Sequence, residues 1–512
     1  MAYGRGPLLD ALVAVANETD HVLVLVQLNG GNDGLNTVIP LDQYAALMAA
    51  RANITIDETK VLKLTEATGL HPSMTGLQQL YNDAKLAVVQ NVGYPNPNFS
   101  HFRATDIWLT ASDYNVTLTS GWLGRYLDEE YPDYPNGYPN AVAPDPLAIQ
   151  IGSVITTGLQ GPTVSMGMAI TSPTSFYQLV TGGVDTAPNT PAGHELTFLR
   201  QVAQQTQQYA TTIQAAASKA TNLSPLYPAP GSNSLADQLK IVAQLVAGGL
   251  KTRIYVVNIG GFDTHSGQVD GTGGTDTGQH SNLLSKLSVS ITAFQDDLRL
   301  LGVQRRVIGM TFSEFGRRIH SNASLGTDHG TAAPMFLFGE RIHVGIYGHN
   351  PVLPPNATTN DNLAMEYDFR SVYASVLKEW FKIPQTELEA VLLNNFTTLP
   401  LVRPTPKGVG GSKDPVINAE GFERLPAEPG LYQNYPNPFN PVTRIKFTTK
   451  GDRVLVRVYD EGGREIRTLA DGVFSAGEHE IVFDGSDLPS GMYFYRMQSG
   501  SFQQVKSMML VR

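Results

Sequence analysis

Two spacings of apolar residues divide this chain. Up to about Val402, near-continuous apolar runs alternate with stretches whose apolar residues fall three and four apart. Four runs predict strands: His21–Leu28 (HVLVLVQL), Leu86–Val92, Arg253–Ile259 and Arg306–Phe312. Runs with so little polar interruption suit parallel strands covered on both faces. Between them, Leu284, Leu287, Ile291, Phe294, Leu298 and Leu301 make one helical stripe over Gly278–Leu301. Leu235, Leu239, Val242 and Leu245 repeat it, as do Val372, Val376, Leu377 and Trp380. Strand and helix in alternation predict an α/β domain with a mostly parallel sheet over residues 1–402.

Residues 403–430 are rich in Pro, Gly and Lys (RPTPKGVGGSKDP) and read as a linker. From 431 to 512 the period becomes two: TRIKFTT, RVLVRVYD, HEIVFDG, GMYFYRMQ and QVKSMMLV, with Gly462-Gly463 and Pro489-Ser490-Gly491 as turns. This predicts a small β-sandwich.

Composition narrows the chemistry. The 512 residues include no cysteine, which excludes thiol catalysis, disulfides and thiolate metal sites. A net charge of −10 argues against wrapping nucleic acid, which needs a basic footprint. No apolar run approaches the ~20 residues that span a bilayer. Leu8–Ala16 (LLDALVAVA) lacks the basic start and long apolar core of a secretory signal.

The residues directly after the strands carry the candidate chemistry. Asn29-Gly30-Gly31-Asn32-Asp33-Gly34 follows the first run, Gly260-Gly261-Phe262-Asp263-Thr264-His265 the third and Ser313-Glu314-Phe315-Gly316-Arg317-Arg318 the fourth. Phe99-Ser100-His101-Phe102-Arg103 follows the second, past a Pro/Asn-rich loop. In an open parallel sheet these segments share one edge, the carboxyl edge, where such folds place their sites. Asp263 and His265, two apart, face one side of extended backbone and can reach one metal. Asp328-His329 lies between glycines. Together with Asp33 these are carboxylates and imidazoles, a set suited to zinc or manganese, one or two ions, with calcium and magnesium still open. His280 has two readings, a further ligand or a solvated residue at a helix start. Ser100 also has two: an N-cap, or a nucleophile at a helix N-terminus whose free amides attract anionic oxygens. His101 and Arg103 stand as ligand, acid or anion clamp, and Glu314 and Arg317 as assistants or as a buried Glu–Arg pair.

At these residues the sequence resembles a known family. LNGGNDGLNTVIP, YPNPNFSHFRATDIW, GGFDTHSGQ with downstream His280, SEFGRR and GTDHGT, in this order, are similar to the domain of unknown function 1501 family over about 20–385. That family is placed with alkaline phosphatases, sulfatases and phosphoglycerate mutases. The resemblance implies an alkaline-phosphatase-like, doubly wound sheet with helices on both faces and a metal site at its carboxyl edge. It implies Asp33 as the first metal-binding Asp, Ser100 at the nucleophile's position, Asp263 and His265 as one ligand pair and Asp328-His329 as the other. A further late His usual in the superfamily has no matching motif, although His343 and His349 are available.

The tail segments LYQNYPNPFNPVTRIKF, VYDEGGREIRTL and LPSGMYFYRMQ resemble the type A sorting domain of type IX secretion, an immunoglobulin-like sandwich. This implies a Gram-negative bacterium, recognition by the type IX translocon, and a secreted or surface-attached product. A signal peptide is then expected upstream and is expected to be missing from this chain. The functional expectation is a secreted metal-dependent hydrolase of a small anionic phosphate or sulfate ester, or of a glycan-linked one. The alternative is a surface-displayed binding or scaffold protein with a degenerate site.

Overall fold

The computed structural model describes residues 20–141, 143–173, 190, 193, 209–403, 429–431, 434, 437, 439–450, 452–460, 462–474, 477–500 and 502–511. The Leu8–Ala16 patch and residues 404–428 of the expected linker lie outside the described residues. The chain divides into two compact units, Met1–Pro406 and Lys407–Arg512.

The first unit is built on one sheet. Its strands in chain order are β1 (Val22–Asn29), β2 (Leu86–Gly93), β3 (Ala148–Ile151), β4 (Met168–Ile170), β5 (Ile254–Gly260), β6 (Val307–Phe312), β7 (Ala333–Phe338), β8 (Gly345–Tyr347) and β9 (Tyr367–Asp368). They lie in the order β8-β2-β7-β6-β1-β5-β3-β4, with β9 also on β2. β1 pairs parallel with both β5 and β6, and Asn29 stands level with Gly260. β7 alone runs antiparallel, against β6 and β2. The sheet is therefore mixed but mostly parallel. Described helices include α1 (Tyr44–Arg51), α2 (His101–Thr110), α3 (Ser234–Ala247), α4 (Gln279–Leu300) and α5 (Phe369–Glu379).

Alternate residues of β1 serve the two faces, which is why the run carries almost no polar residue. Leu23 and Leu25 pack in a core with Trp108 of α2 and Phe369 of α5. Val22, Val24, Val26 and Leu28 pack with Leu239 of α3 and Leu287 of α4. Helices thus cover both faces, as a doubly wound fold requires. No described helix is long and apolar enough to cross a membrane.

The antiparallel course of β7 matters for the site. Its first residue, Ala333, pairs with Val92 near the carboxyl end of β2. The hairpin Arg317–Ser321/Thr327–His329, which precedes β7, is thereby delivered to the same edge as the loops that follow β1, β5 and β6.

The second unit carries two antiparallel sheets. One joins Gly430–Leu431, Val442–Thr449 and Gly477–Asp484; the other joins Glu465–Val473, Arg453–Tyr459, Gly491–Ser499 and Phe502–Leu510. Phe447 and Phe483 from the first sheet share a core with Val456, Tyr495 and Met508 from the second, the interior of a β-sandwich. The strand Glu465–Val473 has no counterpart among the sequence-based expectations. Its only buried side chain is Ala470, so it lacks the alternation that marks the others.

Candidate metal centre

Tight turns leave the ends of β1 and β5. Gly30 has φ +123°, and a Cβ there would lie 2.3 Å from the Asp263 amide nitrogen. Gly31 has φ +80°, and its Cβ would meet the Phe315 ring at 2.3 Å. Only glycine permits this backbone and this approach. Into the turn projects Arg317, fully buried, which donates to the carbonyls of Gly30, Gly31, Phe262 and Thr327. Its Nη2 also donates to Asp263 Oδ1 at 2.8 Å. One guanidinium thus ties two strand ends and the hairpin together beneath the Asp263 carboxylate.

Around Asp263 stand three imidazoles. His265 Nε2 lies 3.2 Å and His329 Nε2 3.1 Å from Asp263 Oδ1, and these two nitrogens are 2.9 Å apart. His101 Nε2 lies 3.4 Å from Asp263 Oδ2. Ligand atoms of His101, Asp263 and His329 all fall within 4.8 Å of one another.

The other ring nitrogens fix the tautomers. His265 Nδ1 is 3.1 Å from Asp328 Oδ1, His329 Nδ1 is 2.8 Å from the Phe99 carbonyl, and His101 Nδ1 is 2.8 Å from Glu314 Oε1. Carboxylate and carbonyl oxygens accept, so each Nδ1–H donates. A ring that carries only this proton presents an unprotonated Nε2. Two such lone pairs face each other between His265 and His329, beside a carboxylate oxygen. A cation between them relieves the repulsion, and oxygen-anchored Nδ1–H groups are the usual support of metal-binding histidines. The donors fit zinc or manganese.

Burial works to raise the Asp263 carboxyl, but the Arg317 guanidinium, through its hydrogen bond and its charge, leads the interactions that outweigh it and hold the group at about 2. Burial lowers His329 as well, keeping its ring neutral. Burial also works to raise Asp328, and its bonds to His265 and Asn322 hold it below the ordinary carboxylate range.

The remaining candidates are placed differently. Ser100 is exposed at the N-cap of α2 and makes no side-chain capping bond. Its neighbours Phe99 and His101 both touch the histidine cluster. The guanidinium of Arg103 bonds Asp106 and the carbonyls of Asp113, Tyr114 and Val116, anchoring α2 to its following loop. Asp33 is fully buried, with Arg51 Nη1 at 2.9 and 2.7 Å from its two oxygens and Gln268 Nε2 at 2.5 Å from Oδ2. Burial works to raise its carboxyl, and Arg51 and His280 offset this, so that it lies below its ordinary value. His280 is buried and donates from Nε2 to Asn32 Oδ1 at 3.0 Å. Neither Asp33 nor His280 joins the group of His101, Asp263 and His329. Glu314 is buried and accepts from Gly30 N as well as His101, while Arg317 pairs with Asp263. The sequence singled out Glu314 only as an assistant and gave Arg51 and Gln268 no role. Their carboxylate partners lie 18 and 235 positions away, so no local spacing marked them.

The buried histidines carry a pH prediction. Burial drives His280 from 6.5 down to about 4 and His71 to about 3. Unfolded, each takes up a proton near pH 6.5; folded, each resists until much lower pH. The unfolded chain therefore binds more protons between those values, and stability falls as pH falls from 6.5 towards 4, by up to ~1.4 kcal/mol per pH unit for each histidine. Urea titrations at pH 7 and pH 5 should show this loss, and a smaller one in His280→Gln. An acid limb identical in that variant removes His280 as its source.

The family model described as "Protein of unknown function (DUF1501)" matches residues 20–392, and that described as "Secretion system C-terminal sorting domain" matches 433–511. No curated protein matches the chain. Among solved structures, PorZ, a surface component of the type-IX secretion system of Porphyromonas gingivalis, is 20% identical over 16% of this chain, with a TM-score of 0.13; the chain spans 12% of that protein's length. A phosphonate monoester hydrolase from Silicibacter pomeroyi is 9% identical, covering 95% of this chain and 88% of its own, with a TM-score of 0.33. The alkaline phosphatase of the Antarctic bacterium TAB5 is 12% identical, covering 64% and 94%, with a TM-score of 0.24.

Proposed function

We propose, for a chain that belongs to the DUF1501 family of proteins of unknown function, that the first unit is a metal-dependent hydrolase of phosphate or sulfate esters working outside the cell. The observation that carries this reading is the 2.9 Å approach of His265 Nε2 to His329 Nε2 beside Asp263, with each Nδ1 anchored on oxygen. His101, Asp263, His265 and His329 would hold the ion, zinc or manganese. Asp328 and Glu314 orient the rings of His265 and His101. An ion held there would supply a lowered pKa for a neighbouring hydroxyl and positive charge to offset that gathering on the transferred group.

Ser100 supplies the nucleophile. Its hydroxyl makes no capping bond, which leaves it available at the start of α2. The backbone amides of that helix start favour an anionic group. Arg317 holds Asp263 ionised and in place, and Glu314 keeps the Nε2 of His101 turned to the Asp263 side. The C-terminal sorting domain is read as the address for type IX export, which delivers the enzyme to the surface or medium.

The test is metal analysis and turnover of aryl phosphate and sulfate esters by the full chain. Ser100→Ala should keep its metal and lose turnover by roughly 10³-fold or more. Unchanged turnover removes Ser100 from the chemistry. Asp33, which the resemblance makes a metal ligand, is instead held by Arg51. That observation favours a second reading, a surface-displayed binding module with a reduced site; bound metal without turnover of any ester would support it.

A further inference from the structure

We infer that the site acts on a monoanionic ester, a phosphodiester or a sulfate monoester, and that the uncharged organic group of this substrate lies along α2. This inference rests on the ester-hydrolase reading above and adds the charge and shape of the substrate.

A pocket of about 470 Å³ opens beside the cluster. His101, Asp263 and Glu314 line it together with Phe102, Asp106 and Leu109 of α2. Among the described residues, no lysine or arginine lines it. The arginines nearest in sequence to the site are already engaged. Arg103 is held by Asp106 and loop carbonyls, Arg317 is buried on four carbonyls and Asp263, and Arg318 bonds the carbonyls of His329 and Thr359 and the side chain of Asn360.

A phosphomonoester at neutral pH carries close to two charges on three terminal oxygens. Such groups are normally met by Arg or Lys donors, bidentate where the donor is Arg. Here the lining offers three carboxylates and no free cationic donor, so a second substrate charge finds no partner in it. A phosphodiester or a sulfate monoester carries one charge. Its remaining substituent is neutral and matches the wall. The Phe102 ring is 91% exposed, with its face open for a ring or an alkyl group to cover. Leu109 adds apolar surface, and Thr157 adds a hydroxyl to the lining.

The experiment is calorimetry on the zinc-loaded full chain at pH 8, with diphenyl phosphate, phenyl sulfate and phenyl phosphate as probes. The first two should bind at least about tenfold more tightly than the dianion. Phe102→Ala, a change at an exposed position, should weaken diphenyl phosphate by about threefold to tenfold with zinc content unchanged. In parallel, bis(4-nitrophenyl) phosphate and 4-nitrophenyl sulfate should exceed 4-nitrophenyl phosphate in kcat/KM. Tighter binding and faster turnover of the phosphomonoester overturn the monoanion assignment and leave the hydrolase standing. Equal affinity of Phe102→Ala for diphenyl phosphate overturns the placement along α2. Retained binding preference with no turnover of any of the three overturns the hydrolase reading itself.

Discussion

Zinc added to metal-depleted protein should raise the unfolding free energy of the first unit by about 4 kcal/mol at a free concentration of ~1,000 Kd, and His329→Ala should abolish most of that gain. His329 is the sharpest probe because its Nε2 contacts both His265 Nε2 and Asp263 Oδ1, while its Nδ1 is fixed by the Phe99 carbonyl. Without metal, this arrangement sets two ring lone pairs and a carboxylate oxygen against each other. Truncating His329 in the metal-free protein therefore removes a repulsion along with ring packing, and should cost little. In the zinc-loaded protein the same substitution removes a ligand. The metal-dependent difference between wild type and variant is thus the quantity to measure, by urea denaturation with and without zinc. A zinc shift of equal size in His329→Ala would show that the ion binds elsewhere.

The strands were legible because burial on both faces writes itself as an apolar run. His21–Leu28 was expected and Val22–Asn29 is found; Arg306–Phe312 was expected and Val307–Phe312 is found. The long helix read over Gly278–Leu301 spans Gln279–Leu300. Strand direction was not legible. The apolar run of β7 says that it is buried, and nothing in it says that it runs antiparallel. Only the pairing of Ala333 with Val92 shows how residues preceding a strand, Asp328 and His329, come to the edge reached elsewhere by residues that follow one. The convergence of Asp263, His265 and His101 follows from placing each motif after a strand, and that of His329 does not. The division of labour among them does not. Whether an imidazole faces a metal or a carboxylate depends on which oxygen meets its Nδ1, and those oxygens come from Glu314 and Phe99, 213 and 230 positions away in sequence from the rings they hold. Glu465–Val473 failed for the opposite reason: a strand with one buried residue carries no period to detect.

Arg51→Met should destabilise the first unit by about 3–5 kcal/mol, because it strands the Asp33 carboxylate in a fully buried position. Arg51 Nη1 meets both Asp33 oxygens, and its remaining donors reach the carbonyls of Ile319 and Arg318. Gln268, the other partner of Asp33, cannot replace a charge. Replacing both members, Arg51→Met with Asp33→Leu, should recover much of the loss, since no lone charge then remains in the interior. Urea midpoints of the two single variants and the double variant give the coupling directly. The same pair separates two views of Asp33. As a structural anion, it can become Asn with a loss of stability and an unchanged metal content. As the first metal-binding Asp that the sequence resemblance implies, its replacement by Asn would release the ion. Bound metal measured in Asp33→Asn decides between them: retention keeps the centre at His101, Asp263, His265 and His329, and loss would mean that Asp33 leaves Arg51 to bind the cation.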